Sequence, residues 1–208
     1  MKKIIFPFFL TLLLFACKKE EPSSNFQKVP ISDTDTLEIV EMSTPEGVMY
    51  IWLYPETPKH KQNFLKLAKE GFYDGLLFHR IIPNFMIQGG DPVGDGTGGP
   101  GYTIDAEIFP EIKHKKGSIA AARLGDAQNP EKKSSGSQFY ISVSTSGTAQ
   151  LDGNYTVFGE VIKGIEAADK IVVKPRNIED KPLTDIPMQV KVLKTNKQKL
   201  KDDFGFTP

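Results

Sequence analysis

Phe78-His79-Arg80-Ile81-Ile82-Pro83-Asn84-Phe85-Met86-Ile87-Gln88-Gly89-Gly90-Asp91 is the stretch on which the fold turns. Its apolar runs predict two short strands, Leu76 to Ile82 and Phe85 to Gln88. Adjacent strand residues face opposite ways, so His79 and Arg80 belong to different faces. That assigns His79 a structural place rather than the general-base role that a histidine beside an arginine invites. A Gly-rich loop, Gly89 to Gly101, comes next. It has no following Lys-Ser/Thr and no helix start, so it is not a phosphate loop. Asp91 and Asp95 lack a third ligand in register and read as loop residues, not as a metal site.

Outward from this stretch the pattern stays mainly β. Upstream, Thr36 to Met42 alternates, and Gly47 to Tyr54 forms a second strand after the turn Thr44-Pro45-Glu46-Gly47. Thr57-Pro58 opens a helix with an N-cap and a proline suited to its first position, and Gly71 ends it. Phe64, Leu65, Leu67 and Ala68 form its apolar face. Downstream, strands are predicted at Gly117–Ala122, Gln138–Val143, Thr156–Val161 and Met188–Leu193, with a helix from Gly164 to Ile171. The tail from Lys194 is expected to fray. Short strands with two helices fit a capped antiparallel barrel or a sandwich; periodicity alone does not choose.

Lys+Arg and Asp+Glu both number 26 in the 208 residues, so no net field favours nucleic acid. One cysteine excludes an intrachain disulfide and multi-cysteine zinc sites.

Three blocks in order, the opening stretch, Ser135-Gly136-Ser137-Gln138-Phe139-Tyr140-Ile141, and Leu151-Asp152-Gly153-Asn154-Tyr155-Thr156-Val157-Phe158-Gly159, resemble the cyclophilin-type peptidyl-prolyl cis-trans isomerases. The resemblance spans Leu37 to Leu193. It implies a closed eight-stranded antiparallel barrel capped by two α-helices, with a hydrophobic groove outside. It also implies an enzyme that accelerates rotation about X-Pro bonds in proline-containing polypeptides.

The chemistry is consistent with these residues. Amide resonance sets a barrier of about 18–20 kcal/mol, and unassisted exchange takes about 10–100 s. In the twisted state the prolyl nitrogen regains a lone pair, so a donor aimed at it lowers the barrier. No nucleophile, metal, acid–base pair or cofactor is needed.

By resemblance, Arg80 is the catalytic arginine, permanently charged and rich in donors, and Gln88 binds substrate backbone and orients it. Phe85, Met86, Tyr140, Leu151 and Tyr155 line the proline pocket. Read without the family, the first four of these are ordinary core. Ala122 and Arg123 match positions where substrate runs beside the backbone. Gln138 lines the groove, and Gly96 and Thr97 line its approach.

The sequence departs from the family at several points. Gln150 stands where well-studied members carry a tryptophan tied to cyclosporin binding, which implies weak binding of that drug. Tyr155 replaces a histidine and Tyr140 a phenylalanine. Leu124 to Ser134 is longer than in short members, which reads equally as a site-tuning loop or as a tolerated insertion. The same groove would also serve a non-catalytic proline-peptide chaperone or an envelope interaction factor.

At the N-terminus, Met1-Lys2-Lys3 and the apolar Ile4 to Phe15 form a signal-peptide pattern too short to span a bilayer. Leu14-Phe15-Ala16-Cys17 resembles a bacterial lipobox. It implies cleavage after residue 16, lipid on Cys17 and membrane anchoring in the envelope. Lys18 after the cysteine leans toward the outer membrane. Residues 17–35 read as a flexible linker, 36–197 as the domain and 198–208 as a tail. No heptads or sticky edges appear, so a monomer is expected.

Overall fold

The computed structural model describes residues 26–208. The signal sequence, Cys17 and the first part of the linker lie outside the described residues. The strands are β1 (Leu37–Thr44), β2 (Gly47–Leu53), β3 (Arg80–Ile82), β4 (Met86–Gly89), β5 (Thr103–Ile104), β6 (Ser118–Ala121), β7 (Ser134–Ser135), β8 (Phe139–Ser142), β9 (Val157–Lys163) and β10 (Gln189–Thr195). The α-helices are α1 (Pro58–Lys69), α2 (Ile165–Val172) and α3 (Lys197–Phe204).

Eight strands form one antiparallel sheet in the order β10-β1-β2-β9-β6-β8-β4-β3, and β5 pairs β7 separately. No ladder joins the end strands β10 and β3 among the described residues. The segments that lead into them are joined by the bridge Leu77 to Pro187, with Phe78 N–H donating to the Ile186 carbonyl (3.0 Å) and Met188 N–H to the Leu76 carbonyl (2.9 Å). The main sheet is thus eight-stranded and antiparallel.

The register explains how the sheet separates core from site. One row crosses four ladders as Ile81, Ile87, Ile141, Ile119 and Gly159. All four isoleucines are fully buried. They pack with Phe64 and Leu67 of α1, Phe139 of β8, and Ala168 and Ile171 of α2. Gly159 leaves room for close approach, since a Cβ there would lie 2.4 Å from the Trp52 carbonyl. The neighbouring row is Arg80, Gln88, Tyr140, Ala120 and Val157. By strand alternation it faces away from the isoleucines.

Helix α1 forms as its sequence predicts, with Pro58 in the first turn and Gly71 in the left-handed region (φ 72°) just past its end. Thr57 precedes it without a side-chain cap bond; its hydroxyl donates to the Tyr54 carbonyl instead (3.3 Å).

Two expectations at the chain ends need correction. The tail does not fray: β10 runs to Thr195, and Asn196 caps α3 by accepting from Lys199 N–H (2.8 Å). The domain thus has three α-helices, not two. The described part of the presumed linker also lies on the domain. Val29 N–H donates to Glu56 (3.2 Å), Phe26 meets Phe109 (centroids 5.6 Å), and Ile31 joins a second apolar layer. That layer has a simple origin. In β2, Met49, Ile51 and Leu53 face the core, so Tyr50 and Trp52 face outward. Helix α3 and the residues after it cover them, with Tyr50 against Phe204 (5.0 Å) and Trp52 against Phe206 (5.9 Å).

Candidate functional site

The hairpin β3–β4 positions the first two candidate residues. Phe85 N–H closes a turn onto the Ile82 carbonyl (3.1 Å), with Pro83 and Asn84 (φ 58°) at its centre. Proline then a residue of positive φ is what such a turn requires. The register sets Arg80 opposite Gln88 and Ile82 opposite Met86, so all four share the outer face. Arg80 is exposed, and no carboxylate pairs with it among the described residues. His79, on the other face, is buried with both ring nitrogens lacking a hydrogen-bond partner. Burial lowers its pKa, against the opposing pull of Asp91. A buried, neutral ring facing the interior has no route to a substrate in the groove.

A polar relay runs from the arginine into the Gly-rich loop. Arg80 Nη1 donates to Gln88 Oε1 (3.4 Å), and Gln88 Nε2 donates to Gln138 Oε1 (3.1 Å). Gln138 Nε2 in turn donates to the carbonyls of Gly96 (2.9 Å) and Gly98 (2.8 Å). Gln138 is buried, while Gly96 and Thr97 are exposed on the loop. Asp91 holds that loop from beneath, accepting N–H bonds from Val93, Asp95 and Gly96. Burial alone would raise its pKa, but these donors outweigh burial and lower it. Asp91 is a loop residue, as expected, yet it organises the whole loop.

Beside the relay lies an apolar cluster separate from the main core. Met86, Ala120, Tyr140 and Val157 are its buried members, and Phe85, Leu151, Tyr155, Ile82, Ile112 and Tyr54 pack against it half-buried. The five residues read as a proline pocket are thus brought together. Tyr140 and Tyr155 meet edge to face (5.9 Å).

Ala122 and Arg123 are placed differently from each other. The Ala122 N–H donates to Gln138 (3.0 Å) and its carbonyl accepts from Ser135 (2.8 Å), so its backbone groups are engaged within the fold. Those of Arg123 carry no bond among the described residues. Its side chain is turned inward: Nε donates to the Asn154 carbonyl (2.7 Å), Nη1 pairs with Asp126 (2.7 Å), and the guanidinium lies over Tyr155 (4.6 Å to the ring centroid). Lys132, within the extended loop, donates to Asn154 Oδ1 (2.7 Å). That loop is therefore fastened to the segment bearing Tyr155.

Sequence reasoning passed over His114. Its buried ring lies behind the apolar cluster, with Nδ1 2.8 Å from Asp152 Oδ1 and Nε2 2.8 Å from the Tyr140 hydroxyl. The signal available was the polar tip of Tyr140, which needs a partner when buried. Among the described residues, no group of three or more His, Cys, Asp or Glu side chains could hold a metal ion. No helix there is long and apolar enough to cross a membrane.

Residues 39–192 match the family model described as cyclophilin type peptidyl-prolyl cis-trans isomerase/CLD. A peptidyl-prolyl cis-trans isomerase of Schizosaccharomyces pombe is 41% identical over 149 residues, covering 69% of this chain and 91% of the relative. The mouse peptidyl-prolyl cis-trans isomerase-like 1 is 39% identical over 160 residues, covering 74% and 89%. A crystal structure of a Cryptosporidium parvum cyclophilin type isomerase is similar with a TM-score of 0.69 and 33% identity, covering 78% of this chain and 99% of that one. A second crystal structure of that protein, obtained in the presence of the dipeptide Ala-Pro, is similar with a TM-score of 0.68.

Proposed function

The chain belongs to the cyclophilin-type peptidyl-prolyl cis-trans isomerase family, and from that footing we propose that Arg80 carries its chemistry on X-Pro bonds of envelope or secreted proteins. The observation that supports this most is the position of Arg80. It is an exposed guanidinium on the same sheet face as the apolar cluster, with no carboxylate partner among the described residues and with Gln88 against one of its nitrogens. A prolyl ring seated among Phe85, Met86, Tyr140, Leu151 and Tyr155 would bring its nitrogen toward that cation. In the planar amide the nitrogen lone pair is delocalised into the carbonyl and closed to a donor, whereas in the twisted amide it is open to one. Arg80 therefore interacts preferentially with the twisted state, and no bond is made or broken.

Gln88 is the orienting residue in this reading, and Gln138 ties it to the loop bearing Gly96 and Thr97. Arg123 offers an extended substrate strand its backbone groups, which carry no bond among the described residues. The Ala-Pro dipeptide present with the Cryptosporidium parvum protein supports proline-containing peptides as the ligand class.

The site of action follows from the N-terminal pattern. Lipid on Cys17 would hold a monomeric domain at the bacterial envelope, with the outer membrane favoured by Lys18. Exchange spectroscopy on an Ala-Pro peptide tests the activity: wild-type protein at substoichiometric amount should broaden and exchange the cis and trans signals. Peptide binding with an unchanged exchange rate would favour a non-catalytic chaperone.

A further inference from the structure

The Tyr140 ring is a wall of the apolar cluster, yet its hydroxyl is buried and has to be accommodated. It lies 2.8 Å from His114 Nε2, and the two rings are nearly parallel (3°, centroids 6.0 Å). On the other side of the imidazole, Nδ1 is 2.8 Å from Asp152 Oδ1. The same carboxylate oxygen accepts the His114 backbone N–H (2.9 Å), and Lys113 stands 3.8 Å from the other oxygen. A carboxylate only accepts, so Nδ1 must carry the proton. Nε2 of the neutral ring is then an acceptor, and the tyrosine hydroxyl is the donor. Burial lowers the His114 pKa although Asp152 pulls it up, which keeps the ring neutral.

We propose that His114 is a positioning residue for proline binding: it draws the Tyr140 hydroxyl to the rear of the cluster, so that Tyr140 presents an apolar ring to the substrate. Asp152 acts one step further back by fixing the tautomer. The tyrosine at this position then behaves toward substrate like the phenylalanine it replaces, provided His114 is there. This inference rests on the apolar cluster being the proline pocket, but not on Arg80 being the catalytic group.

The geometry makes a conditional prediction that a purely structural histidine does not. His114→Leu leaves the Tyr140 hydroxyl without its acceptor, free to turn toward the pocket or to hold water there. In the Tyr140 background, KM for an Ala-Pro peptide should rise about five- to tenfold, with kcat changed less than KM. In the Tyr140→Phe background there is no hydroxyl to restrain, and the same substitution should change KM less than twofold.

The experiment is this double-mutant cycle, with thermal unfolding recorded for every variant and peptide Kd measured by NMR titration beside KM. The Kd arm stands even if Arg80 proves not to be catalytic. A separate readout uses the wild-type protein: long-range proton–nitrogen NMR spectra should show His114 protonated at Nδ1 and bare at Nε2 at neutral pH. Equal losses of affinity in the two backgrounds, no loss in either, or an Nε2-protonated ring would each overturn the proposal.

Discussion

Asp91→Asn tests how the Gly-rich loop is held against the polar relay. Asp91 is 2% exposed. Its Oδ1 accepts from Val93 N–H (2.8 Å), and Oδ2 accepts from Asp95 (3.2 Å) and Gly96 (2.5 Å). An amide of the same shape keeps one accepting oxygen and turns the other corner into a donor. With the oxygen on the Oδ2 side, the Val93 N–H faces an NH2 group; in the opposite orientation two N–H groups do. The better arrangement therefore loses one bond outright and the charge on two others. A lost bond costs about 1–1.5 kcal/mol and charge roughly doubles a bond's strength, so the sum is about 2–3 kcal/mol. For a domain of this size that is about 5–10 °C in the unfolding midpoint.

The same substitution should lower kcat/KM, because Gly96 and Gly98 offer the carbonyls that hold Gln138. The effect has a pH signature. The Asp91 pKa is lowered in the fold, so its contribution is complete above the ordinary aspartate pKa and fades as pH falls through the folded value. The gap between wild type and variant should be full at neutral pH and should close in acid. Calorimetry or circular dichroism melts across pH measure it. Coincident midpoints at neutral pH, or a gap that survives acidification, would refute the reasoning.

Other substitutions probe other links. Asn196→Ala removes the cap of α3 and should lower stability by about 1 kcal/mol in denaturant unfolding, with tryptophan fluorescence reporting the loosened cover over Trp52. Gly90→Ala should destabilise more than the roughly 1–2 kcal/mol of a left-handed backbone alone, because φ is 83° and the added Cβ would lie 2.3 Å from the Ser137 carbonyl; an unchanged melt would contradict that. Cys17→Ser should abolish incorporation of labelled palmitate and release the protein from the membrane fraction, whereas retention of label would remove the lipid reading.

What was legible in the sequence came from the three motif blocks, with strand alternation separating His79 from Arg80. Arg80 and Gln88 were read from the family resemblance, and the turn through Pro83, Asn84 and Phe85 sets them opposite each other by pairing Ile82 with Met86. Tyr140 and Leu151 could not be told from core by pattern, since the cluster they join is itself buried apolar surface. His114 lay hidden because its two partners come from β8 and from the loop after residue 151, a juxtaposition no local pattern encodes. Helix α3 was missed because Lys197 to Phe204 holds only two apolar residues, Leu200 and Phe204. The clue was in β2 and the residue after it: Tyr50, Trp52 and Tyr54 alternate with the core residues, and aromatics that face away from a core call for a cover. Asn196 and Gly205 (φ 66°) were the end signals.

The role of Arg80 is decided by a kinetic comparison of wild type, Arg80→Ala and Arg80→Lys on one Ala-Pro peptide, with peptide Kd measured for each. Arg80→Ala should lose well over tenfold in kcat/KM, toward the roughly hundredfold that one such donor contributes, while Kd changes little. Arg80→Lys should recover only part of the rate, because an ammonium lacks the planar fork. Equal turnover in wild type and Arg80→Ala, with binding intact, would show that the guanidinium is not the catalytic group.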